Sequence, residues 1–66
     1  MLTTFRLWYA RLTDKERTEF RKKVTKKCGV DDSTFYRYLD KQPPKLTEEF
    51  IAKETGIAIN DLYLPA

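Results

Sequence analysis

The sequence predicts an all-α fold, four to five short helices in one domain spanning residues 1–66. Three observations lead there. Apolar residues recur at three- and four-residue intervals and nowhere alternate as a strand requires. Helix-start residues (threonine, aspartate) and helix-stop residues (glycine, proline) punctuate the chain. Between Phe20 and Lys41, a Gly-Val turn of about three residues separates two helical runs. Together they describe a small four- to five-helix domain built around a helix-turn-helix.

Leu2, Phe5, Tyr9 and Leu12 form the stripe of a first helix over roughly residues 2–11, with Leu7 and Trp8 beside it. Thr13-Asp14-Lys15-Glu16 is a capping box: the threonine hydroxyl accepts from the third amide and the glutamate reaches back. A long second helix therefore starts near Asp14, with the stem of Arg17, then Phe20, Val24 and Cys28 inward. Glu19 precedes Lys23 by four residues, the favourable order for an ion pair. Lys26 and Lys27 suit the negative end of the helix dipole, and Gly29 stops it. Asp31 or Asp32 caps a third helix, 32–41, which ends before Pro43-Pro44. Thr47 is expected to cap a fourth helix, with Glu48 and Glu49 in its first turn and Leu46, Phe50 and Ile51 inward, until Gly56 closes it. A last short turn runs from Asn60 to Leu64 and stops at Pro65.

In the central stretch, Gly29 supplies the positive φ that a tight turn needs, and Val30 plugs the space behind it. Phe35, Tyr38 and Leu39 give the next helix its inward face, which points Asp32, Ser33, Tyr36 and Arg37 outward.

These residues carry a resemblance. VTKKCGVDDSTFYRYLD resembles the helix-turn-helix of phage repressor/Cro-type DNA-binding domains, where a small residue, a Gly-Val turn and a Thr-aromatic-x-Arg-Tyr-Leu-like second helix recur. The tail, KLTEEFIAKETGIAINDLY, is similar to that family's closing two helices, with an Ile-Ala pair, a Thr-Gly-Ile stop and a final Leu-Tyr turn. The two stretches cover about residues 20–63. The resemblance implies base contacts from Asp32, Ser33, Tyr36 and Arg37, and a phosphate contact from Arg21.

Charge supports a polyanion partner unevenly. Residues 1–30 hold nine Lys/Arg against three acids, and residues 31–66 hold four against seven. On a helical wheel Lys22 and Lys26 point away from Phe20 and Val24, as a solvated face does. Arg21 and Lys27, with Lys41 and Lys45 further on, are the phosphate candidates. Asp31, Asp32 and Asp40 make the presented segment acidic, and capping is the commoner task of an aspartate there.

Other classes find little support. The chain has no histidine and a single cysteine, so neither a zinc site nor an intrachain disulfide is expected, and the residues suggest no other metal or cofactor. A reducing, cytoplasmic location fits. Leu2 to Leu12, interrupted by Arg6 and Arg11, is too short and polar for a signal peptide or membrane span. A domain this small buries only about 60% of its unfolded surface. It leaves no room for a substrate cavity, which argues against an enzyme or a small-molecule substrate.

The expected function is therefore a small DNA-binding protein, a transcriptional regulator or mobile-element accessory factor, that inserts the 32–41 helix into the major groove of double-stranded DNA. Trp8 and Tyr9 are more often core than interface, but so short a chain cannot hide every aromatic, and an exposed aromatic patch near the N-terminus would suit a homodimer. The alternative is a helical protein-interaction module that keeps the helix-turn-helix shape without reading DNA.

Overall fold

A computed structural model describes residues 2–66. Four helices follow one another: α1 (Thr4–Ala10), α2 (Asp14–Cys28), α3 (Asp32–Tyr38) and α4 (Lys45–Thr55), then a 3-10 turn, Ile59–Asp61. Among the described residues no strand forms; the extended pairing is an isolated bridge between Thr3 and Pro65.

The core is aromatic because so short a chain must bury much area with few residues. Phe5, Tyr9, Phe20, Val24, Phe35, Leu39, Ile51 and Leu62 are buried. Phe20 is the hub, with ring centroids 5.0 Å from Trp8, 6.0 Å from Phe5, 6.1 Å from Phe35 and 6.3 Å from Tyr9. Three of these four contacts are edge-to-face, the arrangement that the ring quadrupoles favour.

The two ends of the chain close on one another. The first amides of α1 cannot bond within the helix. Thr4 and Phe5 donate theirs to the carbonyls of Leu64 and Leu62, both at 2.9 Å, and Arg6 donates to the Thr3 hydroxyl at 3.0 Å. At its other end, Arg17 reaches back from α2 to the carbonyls of Ala10 (3.0 Å) and Leu12 (2.8 Å) and also pairs with Asp14. Its stem was expected inward; its head is what closes α1.

α2 follows the sequence closely, with both bonds of the Thr13–Glu16 capping box formed and Gly29 left-handed at φ 66°. Elsewhere the limits differ. α1 begins at Thr4 rather than near residue 2, because Thr3 takes the cap; Leu2 leaves the stripe and is exposed. α3 stops at Tyr38 rather than 41, and Leu39, Asp40 and Lys41 form a turn. α4 begins at Lys45, with Pro44 at the cap position and no side chain bonded there. Thr47 is therefore not a cap: it lies inside the first turn, buried with Glu48 and Ile51.

That register also corrects Leu46. It sits five residues before Ile51, about 140° around the helix, and is 81% exposed. The last turn starts at Ile59, one residue before the expected Asn60. Lys23 pairs with Glu54 on α4 at 3.1 Å rather than with Glu19. Among the described residues no helix is long and apolar enough to cross a membrane, and no cluster of metal-ligating side chains occurs.

Candidate nucleic-acid interface

α2 and α3 are joined by Gly29, Val30 and Asp31. The left-handed Gly29 turns the chain, and the amides of Gly29 and Val30 both return to the Thr25 carbonyl. Val30 is half-buried behind the turn. Of the two aspartates expected to cap α3, Asp31 does so, its Oδ1 accepting from the Thr34 amide at 2.8 Å. The Thr34 amide holds the Asp31 carboxyl below the usual carboxylate range, with a smaller contribution from the charge of Arg37.

With Asp31 capping, Asp32 is left for another partner, and that partner is Arg21. The guanidinium lies with Nε 3.4 Å from Asp32 Oδ1, and Nη1 donates to the Tyr36 hydroxyl at 3.0 Å. The Tyr36 bond and the surrounding charge favour the protonated guanidinium further. Among the described residues, Arg21 Nε is the one buried side-chain polar atom without a hydrogen bond; at 3.4 Å the Asp32 carboxylate compensates it by charge. Tyr9 lies behind this group. Burial raises its phenol above the ordinary value, the nearby Tyr36 adds to the shift, and Arg21 and Arg17 oppose it.

Asp32, Ser33, Tyr36 and Arg37 all lie on the exposed side of α3, opposite buried Phe35 and Leu39. Ser33 and Arg37 make no side-chain hydrogen bond or ion pair among the described residues. Arg37 does not pair with Asp40, since Asp40 is taken by Arg6 of α1 at 2.8 Å.

The far end of α3 is tied by side chains that sequence reasoning did not single out. Thr3 donates its hydroxyl to the Leu39 carbonyl at 2.6 Å, and the Tyr63 hydroxyl donates to the Tyr38 carbonyl. Both bonds satisfy carbonyls that a helix end leaves without partners. Threonine and tyrosine are too common for either to have been a signal in the sequence.

The phosphate candidates do not form one patch. Arg21 lies against α3, and Lys41 and Lys45 are exposed on the connection after it and at the start of α4. Lys27 is about a third of a turn around α2 from Arg21, in a trough shared with Phe50 and Leu46 of α4. Tyr9 is buried and Trp8 is half-buried against Phe20, so both rings belong to the core.

The chain matches no family model, no curated protein and no solved structure.

Proposed function

We propose that this is a small DNA-binding protein in which α2 and α3 act as a helix-turn-helix and α3 enters the major groove of double-stranded DNA, as in a transcriptional regulator or a mobile-element accessory factor. The observation that carries the reading is the presentation of α3. Four polar side chains at positions 32, 33, 36 and 37 share its exposed side, while Phe35 and Leu39, with bonds from Arg21, Thr3 and Tyr63, hold the helix to the rest of the chain. A rigid helix that offers polar groups outward is what direct readout of base edges requires.

In that complex Arg37 is the guanine or phosphate ligand, Ser33 bonds either kind of base, Tyr36 packs on a thymine methyl, and Asp32 accepts from a cytosine amino group. Arg21 keeps Asp32 and Tyr36 in place and is also the phosphate candidate on α2 nearest the helix, with Lys41, Lys45 and Lys27 as further backbone contacts. Two copies on paired half-sites would supply the affinity that one small module lacks.

The test is duplex binding followed by fluorescence anisotropy across a salt series. Affinity should fall with a log–log slope of about −0.9 for each phosphate neutralised. No detectable binding at low salt ends the proposal.

One observation favours the alternative, a helical protein-interaction module. Tyr36 is 45% exposed and oriented by Arg21, a suitable aromatic anchor for a protein pocket. In that case Tyr36→Ala abolishes a protein complex, and Asp32→Lys leaves duplex affinity unchanged.

A further inference from the structure

Past Arg21, the basic run of α2 turns away from α3. Lys23, Lys26 and Lys27 border a cavity of about 450 Å³ with Phe50 of α4 as its apolar wall. A second cavity of about 480 Å³ shares Lys27 and Phe50 and continues past Cys28 to Pro44, Leu46 and Thr47. The two make one trough between the end of α2 and the start of α4, apolar on its α4 side and lysine-edged on its α2 side.

Two features call for an occupant. Leu46 is 81% exposed, and Phe50, one turn on along the same helix, is only half-buried. Leaving Leu46 and the outer part of Phe50 in water forgoes burial that a 66-residue chain most needs. Along the edge, Lys23 is paired with Glu54, whereas Lys26 and Lys27 have no ion pair among the described residues.

We infer that this trough docks an acidic amphipathic helix of a partner protein, with its apolar side on Phe50 and Leu46 and its carboxylates on Lys26 and Lys27. Charge complementarity chooses this occupant. A nucleic acid backbone would satisfy the lysines but has no apolar side for Leu46 and Phe50. A purely apolar segment would fill the floor and leave the cations unanswered. Each lobe is large enough to receive a large apolar side chain, and anchors spaced one helical turn apart would match Leu46 and Phe50. Incoming carboxylates also compete with Glu54 for Lys23. Lys27 is shared with the DNA reading, but Lys26, Leu46 and Phe50 are not, and a chain that bound no DNA would still present the trough.

The experiment is an NMR titration of the whole chain with a synthetic acidic helix. The peptide, about sixteen residues long, carries leucine and phenylalanine at i, i+3, i+4 and i+7 and glutamate on the flanks. Controls are a scrambled peptide, the same peptide with glutamine for glutamate, and a duplex DNA. The expected result is saturable movement of the Lys26, Lys27, Leu46 and Phe50 signals, with Ser33 and Arg37 undisturbed. Leu46→Ser, which keeps the fold because Leu46 is exposed, should weaken the peptide about tenfold. The pair Lys26→Glu and Lys27→Glu should weaken it by at least about tenfold, while Lys22→Glu stays within about twofold. The inference is overturned if the scrambled or glutamine peptide binds equally well, or if only duplex DNA moves the trough signals. It is also overturned if those signals shift with protein concentration alone, which would make the occupant a second copy of the chain.

Discussion

Arg21 on α2 donates a hydrogen bond to the Tyr36 hydroxyl on α3 at 3.0 Å, so the charge nearest the presented helix is spent on positioning it. Replacing Arg21 by alanine removes this bond and leaves Asp32 without its cation. Melting temperature should fall, and the salt slope of duplex binding should become shallower by about 0.9 if Arg21 also meets a phosphate. A slope unchanged from wild type assigns Arg21 to positioning alone.

On the DNA reading the Asp32 carboxylate, two-thirds exposed, meets a base edge only in a cognate site and repels the flanking phosphates in every other duplex. Asp32→Asn should strengthen binding to a duplex of arbitrary sequence several-fold at low salt. The gain should shrink at about 1 M salt, where the Debye length is about 3 Å. Anisotropy titrations of both proteins at three salt concentrations measure it, and equal affinities throughout would remove DNA from the vicinity of Asp32.

The Asp31 cap has a pH signature. Its carboxyl is held below the ordinary value in the folded chain, so the stability it contributes is present above the unfolded aspartate value of about 3.9. That contribution is lost as pH falls through the folded value. Asp31→Ala should therefore melt earlier than wild type at neutral pH, and the two curves should converge in acid.

Tyr63 has the opposite sign. Burial, then the neighbouring charge of Glu48, push its phenol well above the ordinary range while its hydroxyl donates to the Tyr38 carbonyl. Its contribution is complete below the unfolded tyrosine value of about 10 and declines as pH rises above it toward the folded value. Tyr63→Phe should cost about 1 kcal/mol at neutral pH. It should also remove part of the wild type's alkaline loss of stability, as denaturant melts at pH 7 and in the alkaline range will show.

Phe20 touches four aromatic rings. Phe20→Ala should cost about 3–5 kcal/mol, against a total of about 5–15 kcal/mol for domains in general and the low end for one this small. Circular dichroism at 37 °C should show most of the helix signal lost; a cooperative melt close to wild type would mean that the ring cluster is not the core.

Much of this was legible in the residues, and the pattern of what was not is informative. The capping box, Gly29 and Phe35 with Leu39 were readable because each acts on neighbours within one helical turn. So was the outward set of α3, which depends only on helical period. Leu46 differs from the inward placement expected of it because α4 starts at Lys45 rather than after a Thr47 cap, which sets Leu46 about 140° around the helix from Ile51. Nothing local shows that the Arg21 Nη1 donates to Tyr36, fifteen residues on.

The sequence by itself determined four helical segments, the limits of α2 and the side of α3 that faces water. Tertiary structure decided where α1 and α3 end, which aspartate caps and which pairs, and that the lysines of α2 edge a trough rather than flank α3. The reason is the way helix ends are settled. Terminal amides and carbonyls need partners from outside the helix. For α2 those partners are its chain neighbours, the Thr13 hydroxyl at one end and the Gly29 and Val30 amides at the other. For α3 they include Thr3, 36 residues from Leu39, and Tyr63, 25 residues from Tyr38, and only folding brings such residues together.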